Sequence, residues 1–220
     1  MSHLFSLVRF VIVITTLCCF TQVGHGNPLL FIMALHESRA YFEQNSLSIE
    51  NSNAVFRQSS EYTCGPTALA TLLHYYFGEN TSEEDLAKVT HTFENLTTTL
   101  LSLRDAAREK GYEAIGYRMN LQQLRQQTDT SHIPVLIHFS EPTLHYSLVI
   151  SVLDRNVLVS DPSEGNITMD TSDFIRRWDG KALVVSSHVH PANTTLIDHR
   201  KKSAITRLDT LNRTAASMLR

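Results

Sequence analysis

The sequence predicts an α+β domain, with helices first and antiparallel strands later. Helical patterns crowd between residues 65 and 127, and β-branched apolar runs crowd between 133 and 187. Segregation of this kind points to helices gathered on a sheet rather than to alternating βα units. The runs 146–153 and 157–160 are separated only by Asp154-Arg155-Asn156, a turn composition that joins neighbouring antiparallel strands. Two of the three cysteines, Cys18 and Cys19, lie in an N-terminal apolar stretch, which leaves Cys64 as the domain's single thiol. No disulfide can then staple the domain, and its stability must come from apolar layers.

In chain order, Arg9 precedes the apolar stretch 10–20, and the segment 21–26 that follows ends in the small-x-small run Gly24-His25-Gly26. A basic start, an apolar centre and a small-x-small exit describe a secretory signal over residues 1–26, with an uncleaved anchor as the alternative. The stretch is shorter than the ~20 residues a membrane span needs, so membrane contact is expected only in transit. Export would place the protein in the periplasm or outside the cell. Residues 27–55 read as a leader segment that ends in a loop.

The first domain helix is expected over 65–77, opened by Pro66 and rich in Ala and Leu up to Gly78. A proline suits the first turn because its missing N–H has no intrahelical partner there. Ser82 with Asp85 three residues on is a capping-box pattern that opens a second helix over 83–91. A third helix starts near Thr98 and stops at Gly111, the residue type best suited to a helix C-terminus. Residues 112–119 read as a strand, and Asn120 caps a short amphipathic helix to Gln127. Strands follow over 133–139, 146–153 and 157–160, then a turn over 161–165, a short helix over 171–178 and a closing strand over 181–187. The domain so read spans 56–187, and 188–220 reads as a polar tail with one marginal helix.

The net charge of −3 makes no case for nucleic acid as a partner. His188-x-His190 is a pair of ligands with no third beside it, too little for a metal site, and nothing else calls for a cofactor.

Cys64 stands where the first helix begins, so the positive end of the helix dipole favours its thiolate, the nucleophilic form. The alternative is a buried structural cysteine, since free cysteine is among the most buried residue types. Thiolate chemistry needs a base, and the base needs an orienting group. His145 begins one strand and Asp161 follows the next. If those strands pair through Asp154–Asn156, their far ends lie side by side and His145 meets Asp161 at one sheet edge. The other histidines, His74 and His138 among them, have no acid placed in this way. Gln58, six residues before Cys64, could turn an amide N–H toward an oxyanion forming beside the sulfur.

Gln58, Cys64-Gly65-Pro66, His145-Tyr146-Ser147-Leu148-Val149-Ile150 and Asp161-Pro162-Ser163-Glu164-Gly165 together resemble the C39 peptidases over about residues 54–187. These are papain-like cysteine peptidases that remove double-glycine leader peptides during export. The resemblance implies a papain-like fold, a helical subdomain with Cys64 against an antiparallel sheet with His145 and Asp161. It implies Cys64 as nucleophile, His145 as base and then acid, Asp161 orienting the imidazole and Gln58 donating to the oxyanion. It also implies a peptide or protein substrate. The family's familiar members are fused to an exporter, whereas this chain has an export pattern of its own and looks more like stand-alone exported members. Two other readings share these residues: a peptide-binding or assembly module without proteolysis, and an acyltransferase or amidase.

Overall fold

The structure is a computed structural model, and it describes residues 54–189 and 192–218. The expected signal, Cys18, Cys19, most of the leader segment and His190 lie outside those residues. Six strands form one antiparallel sheet: β1 (Glu113–Arg118), β2 (Val135–Phe139), β3 (His145–Val152), β4 (Asn156–Asp161), β5 (Gly165–Asp170) and β6 (Trp178–Ser186). Their spatial order is β1-β6-β2-β3-β4-β5. The helices are α1 (Cys64–Thr71), α2 (Glu83–Val89), α3 (Thr92–Asn95), α4 (Leu100–Glu109), α5 (Leu121–Ser131), α6 (Thr171–Arg177) and α7 (Thr194–Met218), and α1 runs on through five π-helical residues, Leu72–Tyr76.

The central strands are covered on both faces, which is why β2 and most of β3 are buried along their length. One face carries Leu136, Leu148 and Leu183 against Leu69, Leu72 and Leu103 of the helices. The other carries Ile137, Phe139 and Val149 against Leu124 of α5 and Phe174 of α6. All eight residues of α1 are buried, as expected of a helix apolar on every side. It is the buried axle of the helical subdomain, and the papain-like α+β arrangement is the observed one.

Local signals set most helix ends. Ser82 and Asp85 form the expected capping box, and so do Asn120 and Gln123. Thr99, not Thr98, caps α4, in a box with Ser102. Each such cap is worth about 1 kcal/mol. Gly111 follows α4 with φ +88°, the left-handed conformation that glycine adopts without strain.

The structure adds β5 and α3, which the pattern does not announce. β5 is an edge strand in which only Gly165 and Met169 are buried, so its apolar signal is thin. The four residues of α3 sit between left-handed His91 and Leu96, too short a stretch for a period to show. Trp178 begins β6 instead of ending α6: its ring stacks on Phe174 at 5.3 Å and its backbone registers with Phe139.

The tail segment reaches into the core. Leu196 and Ile197 of α7 are buried. Arg200, 8% exposed, donates from Nη1 to Tyr76 Oη at 2.8 Å and from Nη2 to the Ala54 carbonyl at 2.7 Å. Burial pushes the Tyr76 hydroxyl up to about 12, against the opposing pull of Arg200. The segment entering α1 is pinned at three points: Ala54 by Arg200, Phe56 N–H by Thr71 Oγ1 at 3.0 Å, and Gln58 N–H by the Pro162 carbonyl at 3.0 Å.

Candidate active site

Cys64 is the first residue of α1 and is 6% exposed. Thr63 precedes it without capping the helix. Its hydroxyl turns back instead to the Ser60 carbonyl at 3.0 Å. The N–H groups of Cys64 and Gly65 therefore keep the freedom of a helix start. Gly65 is required by close approach. A Cβ there would lie 2.9 Å from Thr98 Cγ2 and 3.1 Å from Tyr146 Cδ2. The missing side chain lets the helix start sit directly on β3, and Tyr146 Oη is tied to the Thr98 carbonyl at 3.3 Å.

His145 opens β3 and Asp161 closes β4, and the β3–β4 pairing brings them together. The register Leu148↔Ser160 and Val149↔Val159 continues to Ser147 opposite Asp161. His145 Nε2 meets Asp161 Oδ2 at 2.8 Å. Ser147 Oγ donates to the same oxygen at 2.6 Å. Oδ1 accepts from Ser163 N–H at 2.8 Å, Ser163 Oγ at 2.7 Å and Glu164 N–H at 3.0 Å. Asp161 is 3% exposed, and burial alone would raise its pKa. The bonds from His145, Ser147 and Ser163 outweigh that and hold the carboxyl well below the usual range.

Burial likewise disfavours the His145 imidazolium. Hydrogen bonds to Asp161 and to the Cys64 side chain, with the charges behind them, win and push its pKa up from 6.5 to about 9. With Nε2 held by Asp161, Nδ1 is the ring atom left for the sulfur. An imidazole whose far nitrogen is clamped by a buried carboxylate is oriented to serve as a general base at its other nitrogen.

Gln58 occupies the turn that leads into α1. Its backbone pairs with Pro162, the residue after Asp161. Its Nε2 donates to the Ser60 carbonyl at 2.9 Å, and its Oε1 is buried with no hydrogen-bond partner. A primary amide carries two N–H donors, so one remains after Ser60 is served.

The resemblance includes Ser147, Ser163 and Glu164 but gives them no role. Ser147 lies two residues after His145, on the same side of the strand, which is the pattern that brings it to Asp161. Ser163 and the Glu164 N–H act through a loop shape that no pattern announces. His138 has an acid after all: its Nδ1 meets Asp179 Oδ2 at 3.0 Å, and Lys181 Nζ meets that oxygen at 2.6 Å. His138 stands opposite Tyr146 in the register with ring centroids 4.9 Å apart, so this second pair backs the tyrosine beside Gly65. His188 pairs with Glu113 at 3.3 Å. Among the described residues no three His, Cys, Asp or Glu side chains gather to hold a metal ion.

Comparison with known proteins follows the same lines. Residues 52–190 match the Peptidase C39 family. An uncharacterized protein of Methanothermobacter marburgensis is 40% identical over 131 residues, 60% of this chain and 87% of that protein. The probable functional amyloid protease FapD of Pseudomonas fluorescens is 24% identical over 148 residues, 64% of each chain. In fold, the chain is similar to a double glycine motif protease from an AMS/PCAT transporter, solved in complex with the leader peptide. The TM-score is 0.52 at 23% identity, over 60% of this chain and 89% of that one. The family match takes in Gln58, Cys64, His145 and Asp161 and more than half of the chain, and the protein therefore belongs to the Peptidase C39 family.

Proposed function

We propose that this protein is an exported cysteine peptidase that hydrolyses a peptide bond with Cys64, His145 and Asp161. The observation that carries the reading is the 2.8 Å pairing of His145 Nε2 with the buried Asp161, at the end of the strand on which the Cys64 helix start is seated. Family membership supports peptide chemistry, and the basic–apolar–small pattern of residues 1–26 supports export.

The Cys64 thiolate attacks the scissile carbonyl carbon while His145 holds the proton. The oxygen of the tetrahedral intermediate takes hydrogen bonds from the Cys64 N–H at the helix start and from the free N–H of Gln58. His145 gives its proton to the departing amine as the C–N bond breaks, which leaves an acyl group on the sulfur. A water then gives a proton to His145 and attacks the thioester. The second intermediate collapses, the acid is released and Cys64 is restored. Asp161 keeps the ring oriented and favours its charged form throughout. A double-glycine sequence is the first substrate to offer, because the similar transporter-borne protease bears that name.

The test is mass spectrometry of the protein after brief exposure to a thiol-directed peptidase inhibitor, with Cys64→Ala and His145→Ala beside it. Rapid single-site labelling is expected, absent in Cys64→Ala and about tenfold or more slower in His145→Ala. Slow labelling in every form would shift the reading to a binding module without proteolysis.

A further inference from the structure

A groove of about 550 Å³ borders the loop that holds Asp161, and neither Cys64 nor His145 lines it. Its size is that of a small-ligand site, which spans about 300–1,000 Å³. Val55 and Ala204 contribute part-exposed aliphatic surface beside the nearly buried Ile150 and Leu158 of the helix-side face of the sheet, and Thr168 of β5 and Ser203 of α7 add hydroxyls. Arg57 comes from the segment entering α1 and Arg207 from α7. The family match ends at residue 190, so the α7 wall is built from chain that the match does not cover.

Charge and unmet bonding in this groove favour an anion. Arg57 and Arg207 face a single acid in the lining, Glu164, while Arg200 is drawn to Tyr76 and Ala54. Arg57 donates from Nη2 to the Ser163 carbonyl, and a guanidinium has five N–H donors, so capacity remains. His199 also lines the groove, and its buried Nδ1 has no hydrogen-bond partner.

We propose that this groove binds a short peptide that ends in an aliphatic residue and a free carboxylate, with the carboxylate held by Arg57 and Arg207. Val55 and Ala204, with Ile150 and Leu158, take the aliphatic side chain. Thr168 and Ser203 offer hydrogen bonds to the amides, groups that a plain hydrocarbon chain lacks. The contact is coupled to the catalytic loop through Arg57: the Ser163 that receives its bond also holds Asp161 through its N–H and Oγ. Binding here does not require turnover at Cys64.

The test is calorimetric titration of the full chain carrying Cys64→Ala, so that no probe is consumed. The probes are acetyl-Thr-Leu-Leu with a free C-terminus, the same peptide as its C-terminal amide, and decanoate. The free acid is expected to bind, with the amide about tenfold or more weaker. Arg207→Glu, at an exposed position, is expected to weaken the acid by a similar factor with an unchanged melting temperature in the free protein. Equal binding of acid and amide, undiminished affinity in Arg207→Glu, or no binding heat at several millimolar would each overturn the proposal. Decanoate binding as tightly as the peptide acid would overturn the assignment to a peptide.

Discussion

Ser147 Oγ donates at 2.6 Å to Asp161 Oδ2, the same oxygen that holds His145 Nε2 at 2.8 Å. The serine therefore helps to fix both the charge and the aim of the carboxylate. Ser147→Ala removes one buried donor, a loss of about 1 kcal/mol in a typical case. The His145 titration midpoint, followed by NMR of the imidazole, is expected to move, and peptide turnover is expected to fall about fivefold. An unmoved midpoint with full activity would make Ser147 packing only.

The His145–Asp161 pair sets a pH window for stability. The folded pKa of His145 is raised from 6.5 to about 9, so its stabilisation is full below pH 6.5 and is lost as pH rises through about 9. The Asp161 carboxyl is lowered from 3.8, so its share is present above that pH and is lost on strong acidification. The gap in unfolding midpoint between parent and His145→Gln should be widest between these limits, near pH 5–6, and should narrow by pH 10. A gap that is flat with pH would contradict the charged pair.

Gly65→Ala should disturb the site through Thr98 and Tyr146. The new methyl would stand 2.9 Å from Thr98 Cγ2, and overpacking of this kind costs about 1–3 kcal/mol. Inhibitor labelling of Cys64 should slow as the helix start is pushed from β3. Adding Thr98→Ser removes the clashing methyl and keeps the hydroxyl that meets Thr92 Oγ1 at 2.8 Å. Stability and labelling should recover in part in the double variant, and no recovery would place the damage elsewhere.

Arg200→Ala tests how far α7 belongs to the core. It leaves Tyr76 Oη and the Ala54 carbonyl without this buried donor. Hydrogen bonds to a charged group are worth about 1.5–3 kcal/mol, and denaturant unfolding should show a loss of at least that size. An unchanged midpoint would make α7 an appendage.

The helix ends were legible because their causes are local. Ser82, Asn120 and Gly111 act on backbone groups within a few residues, so a pattern suffices to find them. The meeting of His145 and Asp161 was legible for a related reason: a short turn forces two adjacent apolar runs into register, and their far ends must then be neighbours.

The remaining features depend on contacts between distant parts of the chain. Asp179 reaches His138 across 41 positions of chain, and no local rule relates them. β5 has too few buried residues to show a period and exists because β4 offers it a ladder of hydrogen bonds. Arg200 is buried 124 positions from the tyrosine that accepts its bond, although the segment that holds it reads as a polar tail. Local chemistry and binary patterning thus settled most element types, the main caps and the two strand ends that carry a histidine and an aspartate. Packing alone settled which polar groups lost their water, and the partners they then required became the clamp on Asp161, the seat of Tyr146 and the walls of the groove.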